Sequence, residues 1–485
     1  MAKLGGVDPT AVVLHESSIL APLALVLAFE MGRQVFRSLW LAFAVLLAQV
    51  GMIALAPGGG GAYTSLELPG TVARQLLVPA VIALFFRFVR APTWPVALTL
   101  AAAGMDLAFV HPTYALFVVM PLLGFALVRT LAGSDTRRSA AGLVAFGGPV
   151  LLVFAWLAPL VSETASHNPG SIERARGLRT YANDLVVHSQ TNYHLASSVV
   201  ARTGAIAVAA LLSVPLAALA ARRRWSALVL GGAVLVLAVE LWSPAFTHFS
   251  DLVSLSQSRR AAGFVPFAFG LAGGAAVLAR GLRLLLLPVA LAAGIVFQLE
   301  FPGDFGMRVH HTGPAFAAWV ALWGGLAGIV AAAVLARRGL GRFERPDALA
   351  GLAVLLFVLP VAVHGFVHWD KGPQRDTSAL TPGLVEFLRT RVPERSIVFA
   401  DLETSYRISA YAPVYVAVAP PTHVADTKAN RPAQRRAAWL QFLRTGDLAI
   451  PRRYHAGWLV LRRREHVGSG ARLVYRDGRF RVYRL

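Results

Sequence analysis

The chain contains no cysteine, and charged residues make up only 15% of its 485 residues. The lack of cysteine excludes disulfide bonds and thiolate metal sites. The hydrophobic fraction is 56% and the mean hydropathy is +0.59, whereas a soluble domain carries more charge and fewer apolar residues. The composition therefore indicates a membrane protein.

Two motifs that mark cofactor and metal sites are also missing. No glycine-rich phosphate loop follows a predicted strand, which argues against a dinucleotide site. No HExxH or comparable spacing occurs, and the adjacent His310 and His311 would point apart on a helix. We therefore expect no nucleotide cofactor and no dedicated metal site, and we leave open a divalent cation bound by a carboxylate such as Asp106.

Apolar segments of about 19 residues recur between about residue 11 and residue 369, each long enough to cross a hydrocarbon core of ~30 Å. They predict a polytopic α-helical membrane protein with about twelve transmembrane helices, in a transmembrane domain over residues 1–369. The predicted spans are about Ala11–Phe29, Leu39–Ala56, Val72–Val89, Pro95–Val110, Pro112–Leu131, Ala140–Val161, Thr203–Ala221, Ser226–Trp242, Ala261–Ala279, Leu284–Leu299, Pro314–Ala336 and Ala348–Trp369. A long polar loop, residues 162–202, separates the sixth span from the seventh.

Arginines are unevenly distributed among the breaks between spans. The breaks after the odd-numbered spans hold 16 arginines, and the short breaks after the second, fourth, eighth and tenth spans hold 3. Because short cytoplasmic loops carry the excess of basic residues, both termini and the long polar loop are predicted to be extracytoplasmic. The net charge of +21 is thereby assigned to loops that face anionic lipid, and nucleic-acid binding is not expected.

The tail, residues 370–485, has shorter hydrophobic runs and more polar residues, and it predicts a small extracytoplasmic α/β domain. Thr381 and Pro382 are typical of a helix start, and Asp477-Gly478 is a hairpin signal. Alternating strands and helices favour a partly parallel sheet with an antiparallel edge. The predicted strands are Ser396–Ala400, Val414–Val418, Trp458–Leu461, Leu473–Arg476 and Arg479–Tyr483. The predicted helices are Thr404–Tyr411 and Arg431–Arg444.

Three carboxylates are candidate catalytic bases on the predicted outer side: Asp106, Glu16 and Glu163. Asp106 lies five residues before the end of its span, close to His111, which is a candidate substrate-binding residue. The alternative for Asp106 is a hydrogen bond to a neighbouring span. For Glu16, which a cavity or partner would stabilise at membrane depth, the alternative is a position near the lipid headgroups.

Basic residues on the same predicted side are candidate ligands for a phosphate group. Arg259 and Arg260 form an adjacent pair in a short outer loop, and Arg74 lies near the outer start of the third span. Arg308 and His310 belong to another outer loop. A guanidinium group fits phosphate oxygens bidentately, so these residues favour binding of an anionic substrate. Anchoring to lipid headgroups is the alternative interpretation.

The layout resembles the GT-C superfamily of membrane glycosyltransferases. The resemblance consists of many helices, arginine-rich inner loops, long outer loops and a C-terminal outer domain. The local sequence patterns of GMDLAFVHPTYALF and SIVFADLETSYRISAYAPVYV are also similar to those of bacterial proteins of that kind. The resemblance implies a bacterial inner-membrane enzyme, with membrane lipid as a partner. This enzyme would transfer a hexosyl or pentosyl group from a polyprenyl-phosphate donor to an envelope acceptor. An outer carboxylate would serve as base, and arginines would bind the donor phosphate.

The sequence departs from the GT-C pattern at its amino terminus. Members usually begin inside, cross once and carry a catalytic acidic motif in the first outer loop, and this chain has no such loop. The resemblance then implies either a missing first helix and first outer loop or a member without the acid. A transporter or lipid flippase, which the twelve spans would suit, and a non-catalytic membrane scaffold stay as alternatives. The oligomeric state is left open.

Overall fold

The fold is described by a computed structural model for residues 5–53, 63, 66, 68–167, 169–303, 313–340, 346–368, 379–421, 423–463, 465 and 467–485. These residues belong to two compact units. We call residues 13–158 and 168–370 the helical unit, and residues 1–12, 159–167 and 371–485 the mixed unit.

All twelve predicted spans overlap helical segments in the described part of the chain. Among the described residues, eight helices are long and apolar enough to cross a membrane, and two more, at Leu39–Ile53 and Trp94–Val110, are shorter apolar helices. The predicted polytopic membrane fold is therefore confirmed. The main helices are α1 Pro9–Phe36, α2 Leu39–Ile53, α3 Pro69–Arg90, α4 Trp94–Val110, α5 Pro112–Leu131, α6 Thr136–Glu163, α7 Ser171–Thr180, α8 Ala205–Ser213, α9 Arg224–Leu241, α10 Ser243–Val253, α11 Phe267–Leu282, α12 Leu286–Glu300, α13 Ala315–Arg337 and α14 Asp347–Val367.

Two of these helices and one of the predicted spans contain departures from regular α-helix. A π-helical turn, Ala73–Leu77, interrupts α3, and a second, Val320–Gly324, interrupts α13. The predicted seventh span changes to a 3₁₀ helix at Pro215–Ala220 because a proline inside an α-helix removes one backbone hydrogen bond. Each departure changes the rotation per residue, so side chains before and after it point in different directions around the helix axis.

Glycines allow the backbones of α5 and α9 to touch. A Cβ atom on Gly124 would lie 2.1 Å from the carbonyl oxygen of Gly231, and a Cβ atom on Gly231 would lie equally close to the carbonyl oxygen of Gly124. Helices in membranes associate largely through such small residues because lipid removes most of the hydrophobic drive between helices.

The arginine-rich breaks of the helical unit meet at one end of the bundle, which we call the arginine-rich end. Asp135 accepts hydrogen bonds at 2.9 Å from Arg129 Nη2 and Arg224 Nε, so it joins the breaks after the fifth and seventh spans. Arg337 Nε donates to the carbonyl oxygen of Leu131 at 3.2 Å and brings the break after the eleventh span to the same place. This geometry agrees with helices that alternate in direction, and the side of the membrane stays a prediction.

The segment predicted as a long polar loop, residues 162–202, contains regular structure. Besides α7 it forms a hairpin from β1, Leu185–Ser189, and β2, Asn192–Leu195. Tyr193 and Leu195 alternate inward and are buried, so the hairpin has an apolar face that can pack. This apolar face is the physical reason that the segment is folded.

The mixed unit contains the predicted α/β domain, whose strands are β3 Ile397–Phe399, β4 Tyr415–Val416, β5 Trp458–Arg462, β6 Arg472–Arg476 and β7 Phe480–Arg484. Its sheet has the order β4-β3-β5-β7-β6, in which β3 pairs in parallel with β4 and β5, and β7 pairs antiparallel with β5 and β6. Thr381 caps its first helix by accepting a hydrogen bond from the amide of Leu384 at 3.3 Å, as predicted. The main helices of this domain are α15 Pro382–Thr390, α16 Leu402–Tyr411 and α17 Pro432–Thr445.

Candidate functional site

At the end of the helical unit opposite the arginine-rich end, polar contacts converge on Asp184. This residue closes a 3₁₀ turn before β1, and only 6% of its surface is exposed. Its Oδ1 accepts a hydrogen bond from Arg202 Nη1 at 3.0 Å, and its Oδ2 accepts one from Arg259 Nη1. Because both carboxylate oxygens are engaged, Asp184 holds two guanidinium groups in place.

The guanidinium group of Arg259 is held on a second side by an aromatic ring. Its Cζ lies 3.7 Å from the ring centroid of Tyr181, and the Arg259 side chain is 14% exposed. This cation–π contact adds to the ion pair with Asp184. We call Asp184, Tyr181, Arg202 and Arg259 the Asp184 cluster.

A second group of side chains joins the turn between α4 and α5 to the segment before α11. The ring of His111 stacks on Tyr114 at 3.8 Å between centroids, and Tyr114 meets Phe264 edge to face at 5.3 Å. Arg74 Nη2 donates a hydrogen bond to the carbonyl oxygen of Gly263 at 3.1 Å. The segment that carries Arg259 and Arg260 is thereby fixed against α3 and α5.

The π-helical turn in α3 determines how Arg74 and its neighbour are placed. Arg74 reaches Gly263, while Gln75 is buried and accepts a hydrogen bond from Gln49 Nε2 at 3.1 Å. A π-helical turn adds one residue to a helical turn and is often found at functional sites. Here it presents two polar side chains in succession to the interior of the bundle.

A cavity of about 100 Å³ lies beside these residues within the helical unit. Its polar wall is formed by Arg74, Gln49 and Gln75, and its other walls are largely apolar, with Met31 and Phe264 among them. The cavity therefore combines one cationic group with an apolar interior.

Arginines outnumber carboxylates in the Asp184 cluster. The contacts described above connect one carboxylate, that of Asp184, with Arg202 and Arg259, and Arg74 lies beyond Phe264. The exposed Arg260 follows Arg259 directly, and its positive charge is close enough to His111 to lower the pKa of that imidazole. An excess of arginines over carboxylates suits the binding of an anion.

His111 is neutral at neutral pH. Burial lowers the pKa of its imidazole from 6.5 to about 4, and the nearby positive charge of Arg260 lowers the pKa in the same direction. His111 lies in the turn between α4 and α5, and its Nδ1 is 2.9 Å from the hydroxyl of Thr113. A neutral imidazole can donate one hydrogen bond and accept another without adding charge, and it becomes a cation when it takes up a proton.

This pKa difference predicts that acid weakens the fold through His111. The unfolded imidazole takes up a proton near pH 6.5 and the folded one only near pH 4, so stability falls as the pH drops through that window. Between pH 7.5 and pH 5 we expect a loss of about 1–2 kcal/mol. Thermal unfolding of the detergent-solubilised protein at both pH values measures it. His111→Gln should lose less stability than the wild type over this interval, and an equal loss in both proteins would contradict the prediction.

Comparison with known proteins finds similarity among solved structures only: no family model and no curated protein sequence matches the chain. ArnT from Cupriavidus metallidurans bound to undecaprenyl phosphate is 15% identical with a TM-score of 0.42, over 99% of this chain and 85% of that one. The archaeal oligosaccharyltransferase AglB from Archaeoglobus fulgidus, in complex with an inhibitory peptide and a dolichol-phosphate, is 12% identical with a TM-score of 0.41. The match to AglB covers 93% of this chain but 58% of AglB. Both likenesses concern the overall fold alone.

The structure brings four of the predicted site residues to one end of the helical unit: Arg74, His111, Arg259 and Arg260. The phosphate-binding roles that the GT-C resemblance implies for the arginines among them stay predictions. Arg308 and His310 lie outside the described residues.

The three predicted catalytic carboxylates do not join this group through any hydrogen bond or ion pair seen in the described residues. Asp106 is exposed on α4, and Glu16 is half-buried on α1. Glu163 is exposed at the end of α6 and belongs to the mixed unit. Within the described ranges, no three His, Asp or Glu side chains are placed to hold a metal ion. The base stays a prediction.

Sequence reasoning did not select Asp184, Arg202 or Tyr181 as site residues. Asp184 is separated from Arg259 by 75 positions, and Arg202 lies at the end of the polar segment. The sequence does contain one indication of a role for Asp184, because it is one of few carboxylates in segment 162–202. Its two partners could not be inferred, since nothing in the local pattern links arginines on either side of α8 and α9.

Proposed function

We propose that this chain is a membrane glycosyltransferase that takes a sugar from a polyprenyl-phosphate donor and transfers it to an envelope acceptor. The observation that carries the proposal is the grouping of Arg74, Arg259 and Arg260 with a neutral His111 beside a largely apolar cavity. A polyprenyl phosphate has an anionic head and an apolar chain, and this end of the helical unit offers a complement to both.

In the proposed mechanism the arginines act on the donor phosphate. Arg260 is exposed and Arg74 borders the cavity, so both can approach phosphate oxygens. Fixed positive charge stabilises the negative charge that grows on the phosphate as the bond to the sugar breaks. Asp184 has both oxygens bound to arginines, and its proposed role is to position Arg259.

The proposed base is Asp106, with Glu16 and Glu163 as the other candidates. The carboxylate removes the proton of the acceptor hydroxyl, whose oxygen attacks the anomeric carbon of the donor sugar. The bond between that carbon and the phosphate oxygen breaks, and the polyprenyl phosphate leaves with the electron pair. The exposure of Asp106 on α4 is compatible with contact to a lipid-linked substrate or an acceptor.

The reaction is proposed to take place on the extracytoplasmic side of a bacterial inner membrane. The support is the collection of arginine-rich breaks at the opposite end of the helical unit, where Arg129, Arg224 and Arg337 lie. Basic loops are retained on the cytoplasmic side. The N-terminal Asp8 forms an ion pair with Arg389 at 2.7 Å within the mixed unit, which supports placing both termini on the same side.

Arg260→Gln should lower sugar transfer roughly 10- to 100-fold because it removes a charged donor to the phosphate. The measurement is transfer from radiolabelled polyprenyl-phosphate sugars in reconstituted liposomes. Arg338→Gln is the matched control, since Arg338 is an exposed arginine at the arginine-rich end and should leave transfer unchanged. If the folded wild-type protein transferred no sugar from a panel of donors, the enzyme proposal would fail for those donors, and the transporter and scaffold alternatives would gain.

A further inference from the structure

A second cavity lies entirely within the mixed unit, beside the edge strand β4. Its volume is about 460 Å³, which is in the ordinary range of small-molecule sites, about 300–1,000 Å³. Val416 and Ala417 are among the residues that line it. Its polar lining residues are Tyr415, Asn430, Arg435, Arg453, Tyr454 and His455.

Arg435 is fixed in this wall by contacts on three sides. Its Nη1 donates to the carbonyl oxygen of Ala417 at 2.7 Å, and its Nη2 donates to that of Ala429 at 3.3 Å. Its Cζ lies 5.1 Å from the ring centroid of Tyr454. A guanidinium group has five N–H donors, so further donors stay available to a ligand once these bonds are made.

The remaining polar groups add positive charge and open ring surface. Arg453 and His455 are exposed, and Tyr415 is 59% exposed. No carboxylate is found among the described residues that line the cavity. His455 has a φ of 55°, a left-handed conformation that is strained for a non-glycine residue, and such strained residues cluster at ligand sites.

We infer that this cavity binds an anionic sugar, that is, a monosaccharide unit carrying a phosphate or a carboxylate. The arginines supply charge-assisted hydrogen bonds to the anion, and the Asn430 amide can bond to hydroxyl groups. The exposed face of Tyr415 offers an apolar surface for the C–H face of the ring. The site goes beyond the proposed transfer reaction, and binding can be measured without any transfer taking place.

The test is calorimetric titration of the full chain in detergent with four probes: glucose 6-phosphate, glucuronate, glucose and inorganic phosphate. We expect saturable binding of glucose 6-phosphate or glucuronate that is tighter than binding of glucose and of inorganic phosphate. The relative affinities of the two anionic sugars distinguish a phosphate from a carboxylate as the recognised group.

Arg453→Gln should weaken binding of the anionic sugars about tenfold, since it removes one charged donor from the wall. The matched control is Arg452→Gln, because Arg452 is exposed next to Arg453 but does not line the cavity, and binding should stay within about twofold. His455→Asn, which keeps a residue that tolerates the left-handed backbone, should also weaken binding.

Three results would overturn the inference. The first is the absence of saturable binding of either anionic sugar by a protein whose thermal unfolding is normal. The second is an equal loss of affinity in Arg453→Gln and Arg452→Gln, which would show a diffuse effect of surface charge. The third is binding of inorganic phosphate as tight as that of glucose 6-phosphate, which would leave no role for the sugar.

Discussion

Asp184→Asn should lower sugar transfer by roughly 10²- to 10³-fold and should also destabilise the helical unit. The substitution keeps the size of the side chain but removes the charge that Arg202 and Arg259 share. Removing one partner of a mostly buried ion pair typically costs about 3–5 kcal/mol because the remaining charges are left without compensation. Transfer in liposomes and thermal unfolding in detergent together measure the two effects.

The same segment offers a control for Asp184→Asn. Glu173 pairs with Arg176 at 2.8 Å, three positions along α7, and the Arg176 side chain is 53% exposed. Because exposed ion pairs contribute about 0–1 kcal/mol, Glu173→Gln should change stability and transfer little. The role assigned to Asp184 would be wrong if both variants behaved alike, or if Asp184→Asn kept wild-type transfer.

Gly124→Ala should prevent normal folding or lower stability by roughly 3–5 kcal/mol. The new methyl group would lie 2.1 Å from the carbonyl oxygen of Gly231, so α5 and α9 would have to separate. The atom it meets belongs to the backbone, which cannot move aside as a flexible side chain can. The measurements are the amount of protein in the membrane fraction and the midpoint of thermal unfolding in detergent.

Gly148→Ala provides the comparison for Gly124→Ala. Gly148 lies on α6, and a Cβ atom built there meets no atom within 4 Å. Alanine favours a helix over glycine by about 1 kcal/mol, so this variant should be as stable as the wild type or slightly more stable. A similar loss in the two variants would mean that the close approach of α5 and α9 does not limit stability.

The helices could be predicted from sequence because membrane spans are determined by local composition. A run of apolar residues must satisfy its own backbone hydrogen bonds in lipid, so helix is the outcome wherever the run is long enough. The tail was predictable for a similar reason, since turn residues such as Asp477-Gly478 separate its strands. In both cases the deciding information lies within about twenty residues of the chain.

The site was less predictable because it depends on contacts between distant segments. The adjacent Arg259 and Arg260 predict a basic site. The sequence alone is compatible both with phosphate binding and with anchoring to lipid headgroups. The structure distinguishes the two arginines: Arg259 contacts Asp184 and Tyr181, whereas Arg260 is exposed. The polar composition of segment 162–202 predicts a loop, since its short hairpin buries few side chains and Tyr193 alone does not indicate its partners.

The π-helical turn at Ala73–Leu77 divides α3 into a short segment, Pro69–Val72, and a longer one, Val78–Arg90, that are out of phase with each other. Each residue of an α-helix turns about 100° around the axis, so one additional residue rotates everything before it relative to everything after it. The longer segment, which ends at Arg90, can thus keep a face suited to packing against its neighbours, while Arg74, inside the π-helical turn, donates to the carbonyl oxygen of Gly263. Substitutions that change the contacts of Arg74 need not disturb the packing of the segment toward Arg90. The two ends of this helix can therefore change independently in evolution.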